Sequence, residues 1–345
     1  MLTFFTSPIG LGHATRDIAI AEKLKGTEDD ITFVTGEGAA RLIARKGYIA
    51  ADMYRPEKFV VESGQLQHSF RWLMDYYSYY KKCKTIAKEI LEKRAGLIVS
   101  DEDFASIAVG EEMGRQRVLI TDVTETHFTR GPASMIEKKM NKAMKKMMQA
   151  CDYVIIPDAG EDHDNVRHVG PIVREARADR ETLRRKFGFE KKTIVTSTGG
   201  TDAGKYLIEK VIEAHSRLEQ QLDSELVIVS GPSLKLPDSP GQYRNLGFVD
   251  NLHELVYAAD LVISLAGRST MDESIAYGTP GIFIPIKGHF EQEQGAARLG
   301  YKYEDIFRLE SLIQEKIGRR NNNGNEAIDI GGAARAAKII STLIQ

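Results

Sequence analysis

Short apolar runs alternate with helical segments along the whole chain, and this alternation constrains the fold more than any other feature. In the first half the apolar runs lie at residues 2–6, 30–35, 97–100, 118–121 and 153–157. The same alternation restarts at Thr193 and continues to Pro285. Strands alternating with helices imply a parallel sheet with crossover helices. The sequence therefore predicts an α/β protein with two Rossmann-like, doubly wound domains that face each other across a cleft.

A polar segment at 158–171 separates the two halves. It follows Pro157, ends in Pro171 and contains two glycines, which is typical of a linker. We predict an N-terminal domain at 1–157, a linker at 158–171, a C-terminal domain at 172–330 and a terminal helix in 331–345 that packs on the first domain. The 345 residues suit two domains of about 150 residues each. The polar run at 321–325 is interpreted as a loop.

Charge and composition exclude several classes of protein. The net charge of -2 argues against a nucleic-acid partner, because phosphate backbones need a basic surface. Two cysteines far apart argue against a disulfide framework and suit a reducing cytosol. No apolar stretch approaches the ~18 residues of a membrane span, and the N-terminus lacks the features of a signal peptide. We expect a cytoplasmic protein that is at most peripheral to the membrane.

Three glycine-rich loops each follow a strand and precede a helix. They lie at 10–13, 197–201 and 266–270. Glycine permits close approach of a ligand, and the N-terminus of a helix attracts anions. A single loop of this kind is a tight turn without a ligand about as often as it is an anion site. Three such loops at matching places favour anion binding. None fits the dinucleotide fingerprint or the P-loop, so dehydrogenase and kinase functions are disfavoured.

The segment 245–298 resembles the donor-binding region of GT-B glycosyltransferases of the MurG family, which add N-acetylglucosamine to a lipid-linked intermediate. The resemblance extends to GLGHATRD near the start and STGGTDAG after the linker. It also covers uncharacterised archaeal relatives of MurG. It implies a GT-B fold and a hexosyltransferase that uses a UDP-sugar donor, with no cofactor and no bound metal.

The resemblance also implies a set of donor-binding residues. The turn at 268–270 would contact the diphosphate, Glu273 the ribose, and Glu291 with Gln292 the hexose. The donor-binding set is Gly199, Gly200, Thr201, Phe248, Val249, Gly267, Arg268, Ser269, Thr270, Glu273, Glu291 and Gln292. The family usually has Asn four residues after this Gln, where this chain has Ala296. A surface ion pair for Arg268 and a solvated carboxylate for Glu273 are the alternatives.

His13 is the candidate catalytic base, because it lies on the first glycine loop and imidazole titrates near neutral pH. Asp101, at the end of a predicted strand, could orient it. Glu102 and Asp103 remain alternatives, and Asp101 could instead cap a helix. The acceptor-side candidates are Gly10, Gly12, Glu102, Asp103, Asp122, Glu125 and His127. No metal-binding motif is present.

Two segments of the first half are candidates for contact with an acceptor or a membrane. Residues 69–84 carry the single Trp and four tyrosines, and residues 135–148 form a lysine-rich amphipathic pattern. Such a helix suits an anionic bilayer surface or a lipid-linked acceptor. A core-facing stripe with solvated lysines explains the pattern equally well.

Two other functions stay open. A UDP-sugar hydrolase or 2-epimerase would share the architecture, and a catalytically idle GT-B module would bind a partner instead. The acceptor itself is not specified by the sequence.

Overall fold

The structure is a computed structural model. It describes residues 1–28, 30–56, 60–67, 70–126, 134–199, 202–231, 234–237, 239, 241–320 and 329–344. Three predicted site residues, His127, Gly200 and Thr201, lie outside the described residues, as does the predicted loop at 321–325.

The strands are, in chain order, β1 (Leu2–Thr6), β2 (Ile31–Thr35), β3 (Ile49–Asp52), β4 (Val61–Glu62), β5 (Gln65–Leu66), β6 (Leu97–Asp101), β7 (Arg117–Ile120), β8 (Tyr153–Ile156), β9 (Val166–His168), β10 (Lys192–Ser197), β11 (Ser224–Val229), β12 (Arg244–Asn245), β13 (Leu261–Leu265) and β14 (Gly281–Ile284). The α-helices are α1 (Gly12–Leu24), α2 (Glu37–Arg45), α3 (Phe70–Lys93), α4 (Phe104–Glu112), α5 (Ser134–Gln149), α6 (Arg180–Phe187), α7 (Lys205–Leu222), α8 (Leu252–Ala258), α9 (Arg268–Ala276), α10 (Phe290–Arg298), α11 (Leu309–Lys316) and α12 (Gly332–Ser341). Short 3-10 helices lie at Asp202–Gly204 and Tyr303–Arg308.

The chain divides into two compact units. The first comprises residues 1–58, 68–172 and 329–345, and the second comprises residues 59–67 and 173–328. Neither unit is a single continuous stretch of chain.

The first unit is built on a seven-stranded sheet in the order β3-β2-β1-β6-β7-β8-β9. Every neighbouring pair is parallel. All residues of β1, β2 and β6 are buried, as expected for strands covered by helices on both faces. The terminal helix α12 packs against α1, with Ala333, Ala336 and Ile340 buried.

The second unit contains a five-stranded parallel sheet in the order β12-β11-β10-β13-β14. Two hydrophobic clusters fill the unit; one includes Ile208 and Ile263, and the other includes Val195 and Val256. Strand order reverses between β10 and β13, and ligands of doubly wound sheets bind beside the carboxyl ends of the strands at such a reversal.

A short hairpin from the first half of the chain belongs to the second unit. β4 and β5 pair through a two-residue turn in which Ser63 and Gly64 both have positive φ, 47° and 74°. The Leu66 N–H donates to the Lys287 carbonyl and the Lys287 N–H donates to the Gly64 carbonyl, each at 2.9 Å. The Tyr303 hydroxyl donates to the Ser63 carbonyl at 2.8 Å.

The structure divides the chain differently from the sequence prediction in two places. Residues 59–67 were expected in the N-terminal domain, but their backbone hydrogen bonds and the Tyr303 contact join them to the second unit. The expected linker at 158–171 lies in the first unit, because Val166–His168 forms an edge strand parallel to β8. A hydrogen bond that the side-chain amide of Asn165 donates to the Met148 carbonyl, at 2.8 Å, also fixes this segment.

Candidate functional site

The β1–α1 loop and the end of β6 bring His13 and Asp101 together. β1 pairs with β6 so that Thr6 lies opposite Asp101. The carboxyl ends of parallel strands share one edge of the sheet, so the residues that follow them meet there. His13 is the second residue of α1, and its Nδ1 lies 2.8 Å from Oδ1 of Asp101. The imidazole is partly exposed and the carboxylate is fully buried.

Arg16 completes this cluster from one turn further along α1. Its Nε donates to Oδ2 of Asp101 at 2.6 Å, and its Nη1 donates to Oδ1 of Asp122 at 2.7 Å. Its Nη2 bonds to Oδ1 of Asp101 and lies 3.3 Å from Nδ1 of His13. The guanidinium is only 6% exposed, so two carboxylates neutralise a buried charge.

The cluster fixes the charge states of its members. Burial alone would raise the pKa of Asp101, but Arg16 and His13 hold that pKa well below its usual range. Burial lowers the pKa of His13, yet the Asp101 carboxylate outweighs burial and raises the pKa above 6.5. Asp101 is therefore an anion at neutral pH, and the protonated form of His13 is favoured more than in a free imidazole.

The structure distinguishes among the acidic candidates that the sequence left open. Glu102 accepts from the Thr121 hydroxyl at 2.7 Å and from the Asp122 N–H at 3.0 Å. Asp103 caps α4 by accepting from the Ala105 N–H at 3.2 Å, and it also accepts from the Tyr54 hydroxyl at 2.7 Å. Asp101 is the last residue of β6, so the helix-capping role considered for it belongs to Asp103.

The other acceptor-side candidates are more dispersed. Gly10 has φ of +77°, which favours glycine in the loop before α1, and Gly12 begins that helix. Asp122 joins the cluster through Arg16. Glu125 is exposed in the loop after β7.

On the second unit, the third glycine loop leads into the N-terminus of α9. Gly267 is the N-cap residue, and the helix begins at Arg268. The N–H groups of Arg268, Ser269 and Thr270 lie in the first turn, at the positive end of the helix dipole. The Nε of Arg268 donates to both carboxylate oxygens of Asp272, at 3.0 and 2.8 Å. The ion pair considered for Arg268 is thus present, within its own helix.

Glu273 is buried rather than solvated. Its residue surface is 3% exposed. Burial raises the pKa of Glu273 to about 7, an effect that Arg174 opposes and Asp272 adds to. Arg174 is buried too, and its Nη1 donates to the Asp250 carbonyl at 2.7 Å. A buried carboxylate with a perturbed pKa beside an arginine is typical of a functional site.

The remaining donor-side residues surround the carboxyl ends of the strands. Gly199 follows β10 with φ of +72° and open space around it. Phe248 and Val249 are partly buried in the loop after β12, and Val249 packs on a core cluster. Glu291 is exposed at the second position of α10. The side-chain oxygen of Gln292 accepts from the Ile286 N–H at 3.0 Å, which fixes its orientation.

Ala296 explains the departure from the family pattern at that position. It is fully buried in the core of the second unit. A polar side chain at residue 296 would lie in these apolar surroundings.

The sequence missed several members of the His13 cluster. Arg16 lay in the quoted GLGHATRD segment, three residues after His13 and hence on the same helix face. Asp17 is fully buried, and its Oδ2 accepts from the Thr6 hydroxyl at 2.6 Å. Nothing in the sequence pointed to Tyr54, because its partner Asp103 is 49 residues away.

The lysines of helix α5 are exposed, and its apolar residues are packed at one end of the helix and exposed at the other. Its five lysines are exposed, and Met144 and Met147 pack on a core cluster that includes Ile107 and Leu119. At the other end of the helix, Met135 and Ile136 are 68% and 47% exposed. No helix among the described residues is long and apolar enough to span a bilayer. Those residues also include no group of three or more side chains arranged to bind a metal.

Comparison with known proteins bears on the class of protein to which the chain belongs. Residues 194–317 match the glycosyltransferase family 28 C-terminal domain. An uncharacterised glycosyltransferase of Methanosarcina acetivorans is 27% identical over 311 residues, which cover 84% of this chain and 80% of the relative. The crystal structure of the glycotransferase of kitacinnamycin has a TM-score of 0.68 at 16% identity, covering 100% of this chain and 99% of that chain. The chain is a glycosyltransferase of the GT-B fold, as predicted.

A second relative is a bacterial N-acetylglucosamine transferase. The UDP-N-acetylglucosamine–N-acetylmuramyl-(pentapeptide) pyrophosphoryl-undecaprenol N-acetylglucosamine transferase 2 of Bacillus anthracis is 26% identical over 358 residues, which cover 94% of this chain and 96% of the relative. The protein is thus related to MurG and to archaeal glycosyltransferases, which confirms the resemblance seen in the sequence.

Proposed function

We propose that the protein transfers a hexose or N-acetylhexosamine from a nucleotide diphosphate sugar, with UDP as the preferred nucleotide, to an acceptor hydroxyl with inversion at the anomeric carbon. The observation that carries this proposal is the 2.8 Å contact between Nδ1 of His13 and the buried Asp101. An imidazole oriented by a carboxylate through one nitrogen has its other nitrogen available as a general base.

In the proposed reaction, Nδ1–H of His13 donates to Asp101, so the neutral ring has its lone pair on Nε2. The acceptor oxygen forms a bond to the anomeric carbon while Nε2 takes the hydroxyl proton. The bond from the anomeric carbon to the diphosphate oxygen breaks, and the nucleotide diphosphate leaves with that electron pair. Asp101 stabilises the imidazolium that forms and does not itself take the proton.

The second unit is proposed to bind the donor. The first turn of α9 presents N–H groups and the positive end of the helix dipole, which suit a diphosphate that gains charge as it leaves. Glu273 would accept hydrogen bonds from the ribose hydroxyls, and Glu291 with Gln292 would contact the sugar. Phe248 and Val249 would lie beside the base through their backbone. The same assignment gives Gly199, Gly200 and Thr201 a place in the donor pocket.

For the acceptor side, we infer a lipid-linked substrate met at the cytoplasmic face of an anionic membrane. The exposed lysines of α5 and the exposed Met135 and Ile136 support this inference, because cationic and apolar side chains on one helix suit a lipid surface. The Bacillus anthracis relative is named for a pyrophosphoryl-undecaprenol acceptor. Gly10, Gly12, Glu125 and His127 are proposed to contribute to acceptor binding.

Product analysis with UDP-sugars distinguishes the proposed transferase from its alternatives. The protein is incubated with UDP-N-acetylglucosamine or UDP-glucose, with and without a polyprenyl-diphosphate sugar acceptor. A transferase gives a glycosylated acceptor, whereas a hydrolase releases free sugar without acceptor and a 2-epimerase changes the UDP-sugar alone. We expect His13→Ala to lower transfer by about 10²- to 10⁴-fold with UDP binding retained. Transfer that survives in His13→Ala at the wild-type rate would refute the proposed base, and absence of UDP binding would favour an idle module.

A further inference from the structure

Arg16 stands out because its guanidinium contacts His13 and two neighbouring carboxylates, Asp101 and Asp122. It lies between Asp101 and Asp122 and 3.3 Å from Nδ1 of His13. We infer that Arg16 is a positioning residue that orients the Asp101 carboxylate towards His13 and limits how strongly that carboxylate stabilises the imidazolium. This inference rests on the proposed role of His13 as the base.

The orientation follows from the hydrogen-bonding pattern at Asp101. Nε of Arg16 bonds to Oδ2, and Nη2 bonds to Oδ1, so both carboxylate oxygens are engaged by one rigid fork. Oδ1 also bonds to Nδ1 of His13. A planar guanidinium fixes a carboxylate plane in a way that a single ammonium does not. Arg16 therefore orients the imidazole ring indirectly, because it fixes the Asp101 carboxylate to which the ring is hydrogen-bonded.

The charge effect follows from how Asp101 is shared. A buried carboxylate facing a histidine alone would keep that histidine protonated far above neutrality. Arg16 forms hydrogen bonds with the same carboxylate, and its positive charge opposes protonation of the His13 ring. Arg16 therefore makes it easier for the ring to lose its proton than it would be beside Asp101 alone, and a general base must be deprotonated. Asp122 works in the opposite direction, because it partly neutralises Arg16.

The groups around this cluster come from every neighbouring element. β6 provides Asp101 and leads into Glu102, and Asp122 follows β7. On α1 itself, Asp17 is buried beside Asp101, and burial together with Asp101 raises its pKa well above the usual range. Of these two carboxyl groups, Asp101 carries the charge.

Among the residues that the structure describes, the other elements that pack on α1 place no charged side chain beside the cluster. β1 offers the neutral hydroxyl of Thr6 to Asp17. Helices α2 and α12 pack on α1 through apolar residues, and the charged residues of these helices are exposed. The balance at His13 is therefore set by Asp101, Glu102, Asp122 and Arg16.

The test is a titration of His13 in the ligand-free protein, followed by the chemical shift of its imidazole Cε1–H in NMR. Loss of one signal in His13→Ala assigns the resonance. In Arg16→Gln the titration midpoint should move to higher pH, because Asp101 then acts on the ring alone. In Asp122→Asn the midpoint should move to lower pH, because Arg16 is no longer shared. Arg55→Gln, which removes an exposed arginine paired with Asp52, is the matched control and should leave the midpoint unchanged.

Opposite shifts in the two variants support the inference, while no shift in either, or a downward shift in Arg16→Gln, overturns it. If Arg16→Gln does not fold, Asp122→Asn decides alone, since its side chain is partly exposed and the substitution is isosteric. The acidic limb of kcat/KM should move with the same sign, and activity should fall about tenfold per pH unit below that limb. The titration needs no substrate, so the expected shifts can be absent even though His13 is essential for transfer. Conversely, it can succeed in a protein that transfers no sugar.

Discussion

Replacing Glu273 by Gln tests the buried carboxylate of the second unit. Gln has nearly the same shape but cannot ionise. Burial raises the pKa of Glu273 from 4.5 to about 7 in the folded protein. Between these two pH values the folded form keeps a proton that the unfolded chain has lost. Glu273 therefore contributes a loss of stability as pH rises through this window, and this contribution is absent from the variant.

The size of the effect follows from the same values. Each pH unit of difference between the folded and unfolded pKa is worth about 1.4 kcal/mol. A rise from 4.5 to about 7 thus corresponds to about 3 kcal/mol, which is an order-of-magnitude figure. At pH 4 Glu273 is protonated in both states and contributes no difference. By pH 8 the full amount is lost, so Glu273→Gln should gain about 3 kcal/mol relative to wild type between pH 4 and pH 8.

Urea denaturation at pH 4, 6 and 8 measures this difference for both proteins. Glu209→Gln provides the control, because Glu209 is an exposed glutamate of the same unit. Its difference from wild type should stay within about 0.5 kcal/mol across the range. A flat difference for Glu273→Gln, or one that falls with pH, would refute the assignment of Glu273 as a carboxylate held near neutrality by burial.

Nucleotide binding adds a second measurement on the same variant. Ribose hydroxyls that donate to Glu273 would favour its ionised form, so UDP binding near pH 6 should release protons. Calorimetry in two buffers with different heats of ionisation detects this release. In Glu273→Gln the release should disappear and affinity should fall by about 1 to 3 kcal/mol, the value of a hydrogen bond to a charged group. Equal UDP affinity in both proteins would contradict the ribose assignment.

Two further predictions concern the hairpin and α5. Gly64→Ala should lower the melting temperature more than Gly241→Ala. Both substitutions place alanine at positive φ, but only at Gly64 would the new Cβ lie 3.0 Å from the rings of Tyr206 and Tyr303. Equal shifts in melting temperature would show that those rings move aside at no cost. Flotation with vesicles of phosphatidylcholine and phosphatidylserine should recover the wild-type protein, and reversing Lys142, Lys145 and Lys146 to Glu should weaken binding by at least about 3 kcal/mol. Wild-type protein that stays at the bottom of the gradient would remove the membrane proposal.

The sequence was sufficient for the fold class and for the position of the third glycine loop, because both depend on local patterns. Apolar runs such as Leu2 to Thr6 are buried on both faces, and that burial requires covering helices whatever their details. The loop at Gly267 precedes α9 as expected, because a glycine after a strand allows the chain to turn directly into a helix.

The unpredicted features depend on contacts between distant parts of the chain. Arg16 would ordinarily be assigned to a solvated helix face, and only two carboxylates from the ends of β6 and β7 allow its burial. The role of Asp103 as a cap could not be separated from that of Asp101, since the end of β6 was uncertain by one residue. The hairpin at 61–66 is short and polar, so its place is fixed by Lys287 and Tyr303 rather than by its own sequence.

The hairpin has a practical consequence for anyone who divides this protein. Expressing residues 173–328 alone would omit β4 and β5, leaving the backbone groups of Lys287 and one side of Tyr303 without the strand that covers them. Exposed backbone donors and acceptors of this kind invite pairing with other chains. A stable donor-binding fragment would need the 59–67 peptide restored, either as a fused segment or as a separate synthetic strand.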